Sequence, residues 1–377
     1  MMALDQKDKR SGGNSTAFPG NGSHKIDIER NSQEGEMLRL GIDIGGTKIE
    51  GVALDQDGHI LSTCRIPSRR GNQAVHDDIV QVARELLNQT TSEPGEMAPK
   101  CITLGLGIPG RINSRTGTVD DAVNLGIEHM NLALSVGSTL GLPTRVENDV
   151  NIAALGAASL ARTNTEGRPT FNTRARAEDY PAAGRSLPPE ADQVTVFINL
   201  GTGLAAGIIR NGAIEHGASG AIGEIGHIPV DPHKFHCKCG QSGCLETVAS
   251  GSAVEALWPG VNHPLPDMID KARQGDPKAS KRLDIIGDGI AQAIQIVALT
   301  IDPNIIILGG GLTRTGQPLL DLIIGKLEAR ARESRFIASL NLPARVRFSS
   351  TDKPIAAIGA ALAGSRAVGP GIHLVGE

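Results

Sequence analysis

Three of the five cysteines fall within one short run, Cys237-Lys-Cys239-Gly-Gln-Ser-Gly-Cys244. Thiols this close, spaced by glycines and preceded by the histidine of Gly223-Glu-Ile-Gly-His227, can converge on one tetrahedral ion, because zinc accepts thiolate sulfur and imidazole nitrogen in a closed shell. The spacing gives His227, Cys237, Cys239 and Cys244 as ligands, with His233 and His236 as rivals for the fourth position. A disulfide would leave one thiol unpaired, and bridging an adjacent Cys-x-Cys pair is strained. With all four positions closed the metal is structural, and what matters is what it holds. Glu224 and Glu246 flank the ligands, so a rigid loop would present two carboxylates to a ligand.

Glycine-rich turns supply the second kind of chemistry. Gly45-Gly46-Thr47, Gly201-Thr202-Gly203 and Gly309-Gly310-Gly311 each follow an apolar strand. Backbone amides at glycine can approach phosphate oxygens with no side chain intervening, although hairpins also use glycine for steric reasons alone. The first turn carries more, since Asp43 places an oxygen ligand for Mg²⁺ beside it. Lys48 reads as a surface cation beside the hairpin. Gly105-Leu-Gly107-Ile-Pro-Gly110 matches the dinucleotide pattern, yet Pro109 removes an amide and 111–117 reads as a turn. Asp149, where a strand meets a helix, reads on its own as a helix N-cap, and Asn148 as a turn residue.

The elements that must position these residues alternate between strand and helix, which argues an α/β architecture. The apolar patterns predict strands over 38–44, 49–54, 101–108, 144–147, 194–200 and 305–308, and helices over 76–87, 150–160 and 283–298. At 377 residues the chain is long enough for two domains. Residues 1–36 are too polar to repay the entropy of ordering and are expected to be a disordered tail, with Met37 a possible start; 162–192 reads as a surface insertion. Net charge is −4 with signs interspersed, which argues against a nucleic-acid partner. The apolar stretches are too short for a bilayer, no signal peptide is visible, and the isolated Cys64 and Cys101 suit a reducing cytoplasm.

Together these motifs resemble the ROK family (repressors, open reading frames, kinases), within the sugar-kinase, actin and Hsp70-type ATPase fold. The resemblance spans about 38–364 and rests on Asp43-Ile-Gly-Gly-Thr-Lys48, Pro109-Gly110, Glu147-Asn-Asp-Val-Asn151, Leu200-Gly-Thr-Gly203, Gly223-Glu-Ile-Gly-His227, the Cys-x-Cys-Gly-x-x-Gly-Cys-x-Glu signature and Ile307-Leu-Gly-Gly-Gly311. It implies a two-lobed, actin-like (ribonuclease H-like) α/β fold with a ligand cleft. The first lobe would run over 37–158, rejoined by a helix at 355–365, and the second over 159–354. It implies ATP-dependent phosphorylation of a glucose-like or N-acetylated hexose, with ATP, Mg²⁺ and structural zinc as cofactors. Asp149 would be the catalytic base. Asn148, Glu224, His227 and Glu246 would hold sugar hydroxyls, His227 doubling as a zinc ligand. Asp43, Gly45, Gly46, Thr47 and Lys48 would face the phosphates and Mg²⁺, with Gly201, Thr202 and Gly203 opposite and Gly309, Gly310 and Gly311 beside the adenosine. The partners implied are a hexose, a nucleotide and further copies of the chain in a dimer or tetramer, with no nucleic acid and no membrane.

One departure from the family stands out: relatives commonly carry Trp shortly after Asn-Leu, whereas Asn124-Leu125 is followed here by Gly-Ile-Glu-His-Met130. A different class is a sugar-sensing regulator with the same ligand site and no catalysis. Repressor members carry a helix-turn-helix that residues 1–36 are too few and too polar to build. A zinc-stabilised scaffold with a dead cleft is disfavoured by the presence of both Asp43 and Asp149.

Overall fold

The computed structural model describes residues 37–90, 101–163 and 193–365. The tail 1–36 and, from residue 164, the polar insertion lie outside the described residues. The first half runs β1 (Met37–Ile44), β2 (Lys48–Leu54), β3 (Ile60–Pro67), α1 (Asn72–Thr90), β4 (Cys101–Ile108), β5 (Arg111–Asn113), β6 (Thr118–Ala122), β7 (Ile127–Asn131), α2 (Leu132–Leu140), β8 (Thr144–Asn148) and α3 (Asp149–Thr163). The second runs β9 (Val194–Leu200), β10 (Leu204–Arg210), β11 (Ala213–Ile214), α4 (Glu246–Ala249), α5 (Gly251–Leu257), α6 (Pro264–Arg273), α7 (Pro277–Thr300), β12 (Ile305–Gly309), α8 (Gln317–Glu333), α9 (Arg335–Ser339), α10 (Leu342–Arg345), β13 (Val346–Phe348) and α11 (Ile355–Gly364).

The two halves repeat one plan. The first sheet has the order β3-β2-β1-β4-β8, the second β11-β10-β9-β12-β13. In each, an antiparallel meander of three strands is extended by two parallel strands on the side of the first. The β1–β2 and β9–β10 turns therefore occupy equivalent places, and both are glycine turns. A small sheet, β5-β6-β7, sits between β4 and α2 in the chain.

Two helices run between the sheets. Glycine lets them approach to backbone contact: a β-carbon on Gly359 of α11 would fall 1.8 Å from the Ile152 carbonyl oxygen of α3, and one on Gly156 of α3 would fall 1.9 Å from the Ile355 oxygen. α11 lies on the first sheet with equal closeness, since a β-carbon on Gly105 would meet the Ala360 oxygen at 1.7 Å. α3 packs instead on the second sheet, its Ala154 and Leu155 sharing a core with Phe197, Ile209 and Ile307.

The apolar patterns found most of these elements. The structure lengthens α7 by six residues at its start, because Asp276 caps it, accepting from the Lys278 and Ala279 amides, and Pro277 fits the first turn. β3 has no sequence signal because it is an edge strand with alternate residues exposed and the rest half-buried, so no apolar row marks it. α7 is also long and apolar enough, by length and composition, to cross a membrane, contrary to the expectation from apolar stretches alone. Its Ile286, Ile290, Ile294 and Val297 are fully buried in the second lobe's core, which accounts for that composition.

Candidate functional site

The strand ends of both sheets converge on the glycine turns. Asp43 is the penultimate residue of β1, and the first turn is closed by the Gly45 amide donating to the Lys48 carbonyl at 2.9 Å. Gly46 abuts Asn124, and Thr47 is exposed at the tip. Lys48 pairs with Glu50 at 2.6 Å. In the second lobe the Gly201 and Thr202 carbonyls accept from the Gly251 and Ser252 amides at 2.7 and 3.2 Å, so the turn is pinned to the start of α5. Gly310 bridges the second and third turns: it has φ +89°, and a β-carbon there would meet Asn199 Oδ1 and the Leu200 carbonyl carbon at 2.5 Å. Gly309 is buried against Phe197, leaving Gly310 half-buried and Gly311 exposed in open space.

Burial, with the Asp149 charge next in size, pushes the Asp43 carboxyl up to about 7. A buried carboxyl at the start of a glycine turn, with a second carboxyl near enough to hinder its ionisation, is suited to a hard divalent cation, which would relieve both effects. Between the ordinary value of 3.8 and about 7, the folded chain keeps a proton on Asp43 that the unfolded chain releases. Stability from this group is therefore lost as pH rises through that window and levels off above about 7. Melting curves from pH 4 to 8 should show this slope in the wild type without added cation and a flatter one in Asp43→Asn; equal slopes would mean the carboxyl is not perturbed.

Asn148 ends β8 and Asp149 opens α3. The cap is not where the sequence alone puts it: Asn148 Oδ1 accepts from the Val150 amide at 2.9 Å and the Asn151 amide at 3.4 Å. Asp149 Oδ1 also accepts from Val150, and burial outweighs that bond and raises its pKa. Asn148 and Val150 line a cavity of about 390 Å³, with Glu224, His227 and Asn151, within the size range of small-molecule sites. Desolvation raises the Glu224 pKa; His227 opposes that, while Asp149 and Glu246 add to it, so these four side chains share one electrostatic neighbourhood.

The cysteine loop meets the distance test for zinc. Single ligand atoms of His227, Cys237, Cys239 and Cys244 all lie within 4.8 Å of one another. Cys239 and Cys244 sulfurs are 3.6 Å apart and Cys237 Sγ is 4.0 Å from His227 Nδ1. A tetrahedron with metal–sulfur bonds of about 2.3 Å has sulfur–sulfur edges of about 3.8 Å, whereas a disulfide needs about 2.05 Å. Neither rival histidine belongs to the cluster: His233 stacks on Phe235, and His236 pairs through its backbone with Ser242. Glu246 adjoins this cluster, with Oε1 3.0 Å from Cys237 Sγ and 3.8 Å from His227 Nδ1.

Sequence reasoning missed the residues that brace this arrangement. Asp231, 1 % exposed, accepts from the His233 and Phe235 amides at 2.8 and 3.1 Å and from the Thr247 hydroxyl at 3.3 Å, tying the loop to α4. An Asp-Pro-His turn is a local hint of such a role. Glu147 and His216, which meet at 3.0 Å, are 69 positions apart and gave none. The dinucleotide pattern at Gly105 is excluded by the structure, since β4 continues into β5 and no helix follows.

Duplicated sheets, each with a glycine turn between its first two strands and with two helices packed between them, define the two-lobed actin-like ATPase fold. The chain belongs to the ROK family, whose model matches residues 39–167 and 177–363. It is 31 % identical over 312 residues to a glucokinase of Halalkalibacterium halodurans, covering 78 % of this chain and 86 % of that one. It is 27 % identical over 290 residues to an N-acetyl-D-glucosamine kinase of Haemophilus influenzae, covering 73 % and 84 %. The crystal structure of a ROK family glucokinase from Streptomyces griseus, in complex with glucose and AMPPNP, superposes with a TM-score of 0.61 at 27 % identity, covering 87 % of this chain and 99 % of the other.

Proposed function

We propose that this chain is an ATP-dependent kinase that transfers the γ-phosphoryl group to a hydroxyl of a hexose, glucose or an N-acetylated hexose. The observation that carries the reading is Asp149: its pKa is raised by burial, it opens α3, and it stands between two residues lining a cavity of about 390 Å³. Kinases named for glucose and for N-acetyl-D-glucosamine among the relatives support it.

Asn148, Glu224, His227 and Glu246 hold the sugar's hydroxyls, and Asp149 orients the attacking hydroxyl and takes its proton. A raised pKa brings this carboxylate nearer to the working pH, which favours proton transfer. The amides of Gly45, Gly46 and Thr47 face the phosphates from one lobe and those of Gly201, Thr202 and Gly203 from the other, with Lys48 beside them and Gly309, Gly310 and Gly311 bordering the adenosine. Mg²⁺ bound with ATP supplies charge neutralisation on the phosphate oxygens, and Asp43 is the carboxylate placed to hold it. The cysteine loop with His227 holds structural zinc. Closure of the lobes would exclude water as a competing acceptor.

A coupled assay over a panel of hexoses with ATP and polyphosphate as donors tests the reading. Turnover with ATP on one or more hexoses is expected; tight hexose binding with no transfer would favour a non-catalytic sensor. A narrower expectation concerns Gly310→Ala. The left-handed backbone and the 2.5 Å contacts would force the second and third turns apart. Melting should fall by an amount equivalent to about 1–3 kcal/mol, and affinity for a nucleotide analogue should drop more than affinity for hexose. Unchanged nucleotide binding would remove Gly310 from that site.

A further inference from the structure

Glu147 is 1 % exposed and its carboxylate is held from both halves of the chain. From its own strand, Arg145 Nε and Nη2 donate to Oε1 at 3.1 and 2.9 Å. From the second lobe, just past β11, His216 Nε2 lies 3.0 Å from each carboxylate oxygen. Both Glu147 and His216 line the same cavity as Asn148, Glu224 and His227. The His216 side chain is 35 % exposed, and its Nδ1 has no hydrogen-bond partner among the described residues.

An ionised carboxylate only accepts, so Nε2 must carry the ring proton that fills this contact. In the neutral ring the lone pair is then on Nδ1. This is how a carboxylate commonly fixes the tautomer and orientation of a functional imidazole. A hydrogen bond serving only to tie two lobes would not need the other ring nitrogen to lie in the wall of a ligand cavity.

We propose that His216 is a specificity-determining substrate contact: Nδ1 accepts a hydrogen bond from a sugar hydroxyl other than the one that receives the phosphoryl group, and Glu147 is the positioning residue that sets the tautomer. This rests on the sugar-kinase reading of the cavity. It adds a fifth substrate-binding side chain, and one that reads a donor. Selectivity against an analogue lacking that hydroxyl follows, because the lone pair on a half-buried ring would be left without a partner.

Two variants separate the roles. Glutamine at 216 reaches the position of Nε2 and can still donate to Glu147, but offers nothing at the position of Nδ1. Asparagine does the reverse. His216→Gln should melt like the wild type and lose about tenfold in kcat/KM, carried mainly by KM, while His216→Asn should recover most of that loss. On a panel of monodeoxy hexoses, one analogue should cost the wild type about tenfold and be handled by His216→Gln as well as the parent sugar is. A glutamine variant that matches the wild type, or whose penalty is the same for every analogue, overturns the contact and leaves the pair as a tie between lobes. If the wild type phosphorylates no hexose, the kinase reading has failed, and calorimetric hexose binding by the same variants decides the His216 contact separately. A wild type that binds no hexose overturns both.

Discussion

Asp149→Asn is expected to lower kcat by about 10²–10⁴ while hexose affinity stays within a small factor. Asparagine keeps an oxygen able to accept from the Val150 amide, as Asp149 Oδ1 does at 2.9 Å, so the start of α3 survives the change. What it loses is the capacity to take a proton. The cap itself belongs to Asn148, so Asn148→Ala should cost about 1 kcal/mol of stability and weaken sugar binding, a different signature from that of Asp149→Asn. A second readout follows from charge. Asp149 contributes to the elevation of Asp43, so in Asp149→Asn the Asp43 carboxyl should ionise at lower pH. Steady-state kinetics and calorimetry measure the first effect, and the pH dependence of melting the second. Near-normal turnover would reduce Asp149 to a residue of the helix start.

Removal of zinc is expected to abolish hexose binding and loosen the second lobe. Structural zinc in small cysteine–histidine sites contributes about 10–16 kcal/mol of apparent folding energy, enough to dominate a local fold. Here Glu246 stands 3.0 Å from the Cys237 sulfur, and Asp231 pins the same loop to α4, so the proposed metal site would form one unit with two side chains proposed to bind the sugar, His227 and Glu246. Elemental analysis should give one zinc per chain, and Cys239→Ser should lower both melting temperature and hexose affinity. Protein without zinc that binds hexose normally would falsify this account.

Much of this arrangement was legible in the sequence for physical reasons. Strands such as β9 and β12 are buried on both faces and read as continuous apolar runs, and the cysteine loop brings its thiols together by short-range spacing. The alternation of strand and helix gave the α/β class. Lone alternation does not reveal that the second sheet repeats the first, because strand order is set by long-range pairing such as β9 with β12. The short connecting strands β5, β6 and β7 are two partly polar hairpins with little periodicity to detect. The Glu147–His216 contact likewise joins segments that only the assembled lobes bring together. Either of two adjacent residues, Asn148 or Asp149, could cap α3, and residue type alone could not choose between them; one side-chain oxygen directed at two amides gives the cap to Asn148.

The crossing of α3 and α11 carries a consequence for how the halves respond to load. Helices normally register against each other through side-chain ridges seated in grooves, which resist sliding. At Gly156 and Gly359 the contact is backbone on backbone, with no side chain to interlock. At these two points the gap is set by the absence of two methyl groups, while apolar side chains such as Leu155 and Ala363 pack around them. Asp43 is carried by the sheet under α11 and Thr202 by the sheet under α3, so widening that gap by the width of one methyl at Gly359 would be transmitted along two stiff sheets to the spacing of loops far from the joint.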